Sequence, residues 1–215
     1  MRRLLWLVHP LALLPLALLL FDAAAGRLTV NPIQDITHRT GAAGLVLLML
    51  CLACTPLGLI GLRWAGSLRK PLGLYSFLYV ALHLLTFALL DYGLDWRLIG
   101  QAIEEKRYVL AGLAAFLLLV PLAVTSTKGW QCRLGRGWRQ LHRLIYPAAV
   151  LAVLHFLWLS KVPTEPLLYG AALALLLVLR LPPIRRWVGS LRQREAPVGR
   201  AALGRDDAEG RRAGQ

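Results

Sequence analysis

The sequence is short of the features a water-soluble domain depends on. Its 215 residues are 57% hydrophobic, and these residues run in long blocks with few polar interruptions; a soluble domain stays nearer half apolar and is broken up throughout. The polar–apolar alternation of barrel strands is missing, which excludes a transmembrane barrel. No internal repeat stands out, so nothing favours an inverted-repeat transporter. Cysteine is scarce, with three residues. Cys51 and Cys54 form a C-x-x-C, but no βαβ pattern surrounds it, and it reads as two small apolar residues one turn apart on a helix. Cys132 reads as a reduced thiol in a cytoplasmic connection. Acidic residues are few as well, 11 against 25 Lys and Arg, for a net charge of +14.

Six apolar blocks remain, at 4–21, 41–62, 72–90, 108–124, 144–159 and 167–181. A hydrocarbon core about 30 Å thick takes roughly 20 residues of helix, and helices satisfy every backbone group within their own segment. The expected fold is an all-α integral membrane protein, a six-transmembrane-helix bundle over 1–183 with no soluble domain. The sixth block is the shortest. Pro71 is expected to start span three, Pro163 and Pro166 to bracket the turn into span six, and Pro182-Pro183 to stop it. Residues 184–215 read as a basic tail, disordered or partly helical at the membrane surface.

The excess positive charge reads as topology, with no nucleic-acid partner. Arg2 and Arg3 precede the first span. Arg63, Arg69 and Lys70 lie between spans two and three, and Lys128, Arg133, Arg136, Arg139 and Arg143 between four and five. Arg185, Arg186, Arg192 and Arg194 follow the sixth. The intervening connections carry little excess charge, so the positive-inside rule puts both termini in the cytoplasm. Met1-Arg2-Arg3 and Ala23-Ala24-Ala25 also resemble a signal peptide with its cleavage site; the 18-residue apolar run favours a retained helix. On the outer face, 91–107 is the longest connection. It holds Tyr92 and Trp96 at the interface and has helical composition from Ile99 to Arg107.

Ionisable residues inside membrane helices are costly and point to function. His83 sits mid-way along span three, about 18 Å from Pro71. His155 lies at a similar depth in span five. Two neutral imidazoles at one level on neighbouring helices can take both axial positions of a low-spin haem, or each can bond a neighbouring helix. His142, at the cytoplasmic end of span five, is about 20 Å from His155, a suitable separation for a second haem. Thirteen residues also leave the two side chains about 140° apart on an ideal helix, so a stacked pair of haems requires distortion near Pro147. Arg69, 14 residues before His83, occupies the matching inner level without a histidine. It either contacts a haem propionate or iron, or serves as a flanking cation. His9 and His38, near helix ends, read as structural. The loop 125–143 offers cations, hydroxyls and glycine backbone that can hold a flavin phosphate, with Trp130 or Trp138 against a ring; on the residues alone, an ordinary basic loop with interfacial tryptophans is the favoured reading.

Taken together, several stretches resemble the MsrQ family. They are Asn31-Pro32 through Thr40-Gly41, Arg69 through Leu74, Ala81-Leu82-His83-Leu84, Thr125-Ser126-Thr127, Leu134-Gly135 with Trp138 through Tyr146, and His155-Phe156-Leu157-Trp158. The resemblance covers about residues 5–190. It implies a ferric-reductase-like transmembrane domain in a bacterial inner membrane, with one or two b-type haems on His83, His142 and His155, and bound FMN. It also implies electrons from the quinone pool or a cytosolic flavin reductase. Delivery would be to a periplasmic molybdopterin-containing methionine sulfoxide reductase that repairs oxidised proteins, with the substrate site on that partner. Without the resemblance, the histidines also suit a small polytopic transporter or proton relay, or a scaffold.

Overall fold

The computed structural model describes residues 2–62 and 64–184, and among these no strand occurs. The basic tail from Arg185 onward and Arg63 lie outside the described residues. The helices are α1 (Arg2–Ala24), α2 (Pro32–Leu59), α3 (Ala65–Thr86), α4 (Trp96–Glu105), α5 (Arg107–Val124), α6 (Lys128–Leu134), α7 (Arg136–Leu141), α8 (Ile145–Leu159) and α9 (Thr164–Val178). A π-turn at Phe87–Asp91 extends α3, and a 3-10 turn at His142–Leu144 joins α7 to α8.

Five stretches are long and apolar enough to cross a membrane: Trp6–Ala24, Pro32–Leu59, Ala65–Asp91, Arg107–Val124 and Arg136–Leu159. The sixth, α9, is apolar but only 15 residues long. Leu11, Leu18, Leu50, Leu110, Leu117 and Leu175 are exposed along the outside of the helices. Such a surface would aggregate in water and suits lipid.

Several helix ends depart from the apolar blocks. α2 begins at Pro32 because Asn31 caps it, accepting from the Gln34 N–H at 3.2 Å, with Pro32 in the first turn. Its first turns are polar, which hid them from a reading based on apolar runs. Pro71 does not start the third span. It lies inside α3, and Ser67, whose carbonyl loses the Pro71 partner, is exposed at the rim. Nor does Pro147 break a helix. It falls in the first turn of α8, where a missing N–H is tolerated. Distortion lies just before it, in the 3-10 turn. Three residues at 3.0 per turn add about 60° of rotation, bringing His142 and His155 from about 140° to about 80° apart.

α2 sits at the centre and contributes to both core clusters. In one, Leu45, Leu48 and Leu52 meet Leu119 and Leu122 of α5, Val153 of α8 and Leu173 of α9. Ala148 and Ala149 are fully buried there and let α8 approach closely. In the other, Leu47, Cys51 and Cys54 pack with Val8 and Ala12 of α1 and Leu72 and Tyr79 of α3. Both thiols donate to backbone oxygens, Cys51 to Arg69 and Cys54 to Leu50, each at 3.2 Å.

α1 is tied into the bundle by side chains. Tyr79 donates its hydroxyl to the Ala12 carbonyl at 2.7 Å and accepts from the Leu16 N–H at 3.0 Å, so it engages both ends of one rung of the α1 ladder beside Pro15. Arg39 of α2 pairs with Asp22 at 2.6 Å and with Asp35 at 2.9 Å. We expect Tyr79→Phe to remove both bonds between α3 and α1 and to cost about 1–3 kcal/mol, at about 0.5–1.5 kcal/mol per bond. A thermal midpoint equal to wild type would show that the two bonds do not hold α1.

At the rim that also holds the Arg39–Asp22 pair, Asp95 caps α4, accepting from the N–H groups of Arg97 and Leu98. α4 turns Ile99 and Ala102 inward and leaves Trp96 exposed. Lys106 donates to the Tyr92 hydroxyl at 3.0 Å, which raises its pKa above the ordinary lysine value.

Candidate functional site

His83 of α3 and His155 of α8 come together. Their ring centroids are 6.0 Å apart and the ring planes are nearly perpendicular, at 87°. Both rings are half-buried. His83 Nδ1 lies 2.8 Å from the Thr37 carbonyl oxygen of α2, and His155 Nδ1 lies 2.6 Å from that of Tyr108 on α5. A carbonyl only accepts, so each Nδ1 carries the proton and donates it. That fixes the tautomer and leaves Nε2 as the nitrogen with a free lone pair.

Space for the rings comes from two glycines. A Cβ on Gly41 would lie 3.0 Å from His83 Nδ1, and a Cβ on Gly112 would lie 2.7 Å from His155 Nδ1. Among the described residues no group of three or more His, Cys, Asp or Glu comes together to hold a bare metal ion. Inward of the pair, Phe77 of α3 stacks on Phe116 of α5, with centroids 5.6 Å apart.

The other expected site residues are not drawn to this pair. His142 stacks on Trp138, with ring centroids 4.0 Å apart at 31°, and its Nδ1 lies 3.2 Å from the Trp138 carbonyl. Trp138 is held in turn by its indole N–H, which donates to the Thr125 carbonyl at 2.9 Å. The ring neighbour of His142 is thus an indole rather than a second imidazole. Arg69 is exposed, and 14 residues of helix place it about 21 Å from His83. In the basic loop, the Thr127 hydroxyl caps α6. His9 Nδ1 lies 2.9 Å from the Tyr75 hydroxyl, and His38 is exposed.

Sequence reasoning missed the two carbonyls and the two glycines. The carbonyls have no side-chain signature. The glycines offered one signal: Gly41 lies four residues after Thr37, and Gly112 four after Tyr108.

The family model described as "Ferric reductase like transmembrane component" matches residues 39–153. A relative from Xanthomonas axonopodis pv. citri, "Protein-methionine-sulfoxide reductase heme-binding subunit MsrQ", is 46% identical over 179 residues, covering 80% of this chain and 82% of the relative. The protein of that name from Rhodospirillum rubrum is 46% identical over 178 residues, covering 81% of this chain and 86% of the relative. The chain belongs to the MsrQ family. The ferric-reductase match spans α3, where His83 lies, and ends at Val153, just short of His155. The alignments with MsrQ relatives extend over most of the chain.

Proposed function

We propose that this chain is the haem-binding, electron-transferring membrane subunit of a methionine sulfoxide reductase system, in which His83 and His155 would hold one b-type haem. The observation that carries this reading is the 6.0 Å separation of the two imidazole centroids. Two metal–imidazole bonds of about 2 Å, each extended by the half-width of a ring, give about 6 Å between centroids. A stand-alone zinc-type site takes three or four protein ligands. A porphyrin supplies four nitrogens of its own and asks the protein for two. The donor set therefore fits haem.

When bound, haem supplies a one-electron Fe(III)/Fe(II) couple. This chain's residues orient the ligands. Nδ1–H donation to Thr37 and Tyr108 holds the ring planes and raises the basicity of each Nε2. His142 is the candidate for a second, inner iron, but it stacks on Trp138 and has no facing imidazole; the reading commits to the one haem of the His83–His155 pair. Arg69, exposed and about 21 Å along the helix from His83, suits a flanking cation at the inner rim.

Six spans complete the topology, with α9 as the last and both termini on the cytoplasmic side of the bacterial inner membrane. The alternation of basic and charge-poor connections supports this. Electrons enter from the quinone pool or a cytosolic flavin reductase. FMN belongs to this reading on the resemblance, with the basic loop at Lys128, Arg133, Arg136 and Arg139 as its place. The acceptor is a periplasmic molybdopterin-containing subunit. There, methionine sulfoxide takes two electrons and two protons and yields methionine and water, so the membrane subunit passes an electron twice per repair.

The test is the dithionite-reduced absorption spectrum of the full chain purified from haem-replete cells. We expect the sharp α band of a low-spin b haem. A colourless preparation would refute this function.

A further inference from the structure

The two packed helix pairs present their histidines in one way. α2 packs along α3, and α5 packs along α8. In each pair one helix carries the histidine in its last turns, His83 on α3 and His155 on α8. Its partner carries the accepting carbonyl, and a glycine follows four residues later: Thr37 and Gly41 on α2, Tyr108 and Gly112 on α5. In an α-helix the N–H of residue i bonds the carbonyl of residue i−4. The glycine therefore shares its own hydrogen-bond acceptor with the imidazole, and the ring lies over the spot a side chain would fill. No repeat is visible in the sequence, yet the seat occurs twice.

Both seats are tight. A Cβ on Gly112 would lie 2.7 Å from His155 Nδ1, 3.0 Å from Cε1 and 3.3 Å from Cγ. On Gly41 it would lie 3.0 Å from His83 Nδ1, 3.1 Å from Cε1 and 3.7 Å from Cγ. Comfortable heavy-atom contact is about 3.5–4.0 Å. A ring held by its carbonyl cannot retreat without losing that bond, and a ring held by iron cannot retreat without bending the axial ligation.

We propose that Gly41 and Gly112 are positioning residues for the two iron-ligating imidazoles: the missing side chain lets each ring bond the carbonyl four residues earlier while its other nitrogen reaches the iron. The proposal rests on the haem reading above. It separates two roles that glycine plays between these helices. Gly44, also on α2, faces α3 away from the imidazoles: its Cβ would meet Val80 Cγ2 at 2.8 Å, and its carbonyl accepts from the Ser76 hydroxyl at 2.8 Å.

The experiment compares Gly112→Ala, Gly41→Ala, Gly44→Ala and the surface control Gly100→Ala, which has open space around it. Each full-length variant is titrated with haem, and its oxidised form is recorded by low-temperature EPR. Gly112→Ala is expected to weaken haem retention about 10–100-fold, the range for loss of a ligand's outer support, and to move the low-spin signal. Gly41→Ala shifts the signal the same way by less. Gly44→Ala lowers thermal stability and leaves the signal of the bound haem in place. If Gly112→Ala does not fold, the Gly41→Ala spectrum decides. Wild-type affinity and spectrum in both seat variants would overturn the proposal, as would the same spectral change from Gly44→Ala. Low-spin haem that survives in a His83→Ala/His155→Ala double variant would instead overturn the haem reading, and this inference with it.

Discussion

With His83 and His155 as the proposed haem ligands, replacing either with alanine is expected to abolish the low-spin haem signal. With one imidazole left, the iron has a single protein ligand and turns high-spin. Retention should weaken by more than the roughly 10–100-fold that loss of an outer-shell partner costs. The fold should survive. Thr37 and Tyr108 sit in α2 and α5, where the N–H of Gly41 and Gly112 still satisfies their carbonyls after the imidazole is gone. Loss of haem at near-normal expression thus separates a ligand from a structural histidine. His9→Ala and His38→Ala serve as controls, because His9 bonds Tyr75 and His38 is exposed. Haem-to-protein ratio and the reduced spectrum report the result. If both single variants keep a full complement of low-spin haem, the ligand pair is wrong.

Loss of Arg180 is expected to be the most damaging change remote from the histidines. Pro56 lies inside α2 and has no N–H, so the carbonyl of Leu52 loses its helical partner. Arg180, just beyond α9, donates to that carbonyl and also to the Tyr146 hydroxyl at 2.8 Å, and its guanidinium lies over the Tyr146 ring, 5.2 Å from the centroid. One cation therefore ties α2, α8 and the end of α9 together. Its Nε is buried without a partner. Arg180→Ala leaves a membrane-embedded carbonyl unpaired, worth about 1–3 kcal/mol, beyond the loss of the Tyr146 contacts. Pro56→Ala returns an N–H to Leu52, so the Arg180→Ala cost should fall by about 1 kcal/mol or more in that background. Thermal unfolding in detergent of the two single variants and the double variant measures this coupling. Equal costs in the two backgrounds would show that Arg180 does not act through the proline-freed carbonyl.

What the sequence carried was depth. Counting residues from the ends of the apolar blocks put His83 and His155 at one level, and the structure brings those rings together. Angle and neighbours were not legible. The 3-10 turn at His142–Leu144 rotates His142 relative to an ideal helix, and Trp138 stacks on it; neither follows from spacing alone. Apolar runs located the membrane segments but not their polar first turns, so α2 begins at Pro32. Proline misled at Pro71, where a helix runs on through a residue that usually opens one. The carbonyl seats were invisible because every residue has a carbonyl, and only folding selects Thr37 and Tyr108. Arg180, inside the sixth apolar block, drew no reading from the sequence. Its task appears only once Leu52, freed by Pro56, is seen beside it.

His83 and His155 are proposed to hold one haem iron between them. Low-temperature EPR of the oxidised full-length protein tests it most directly. Imidazole planes crossed at 87° predict a highly anisotropic low-spin ferric signal that disappears in His83→Ala and in His155→Ala alike. A high-spin signal in the wild type, or a low-spin signal unchanged by either substitution, would contradict it.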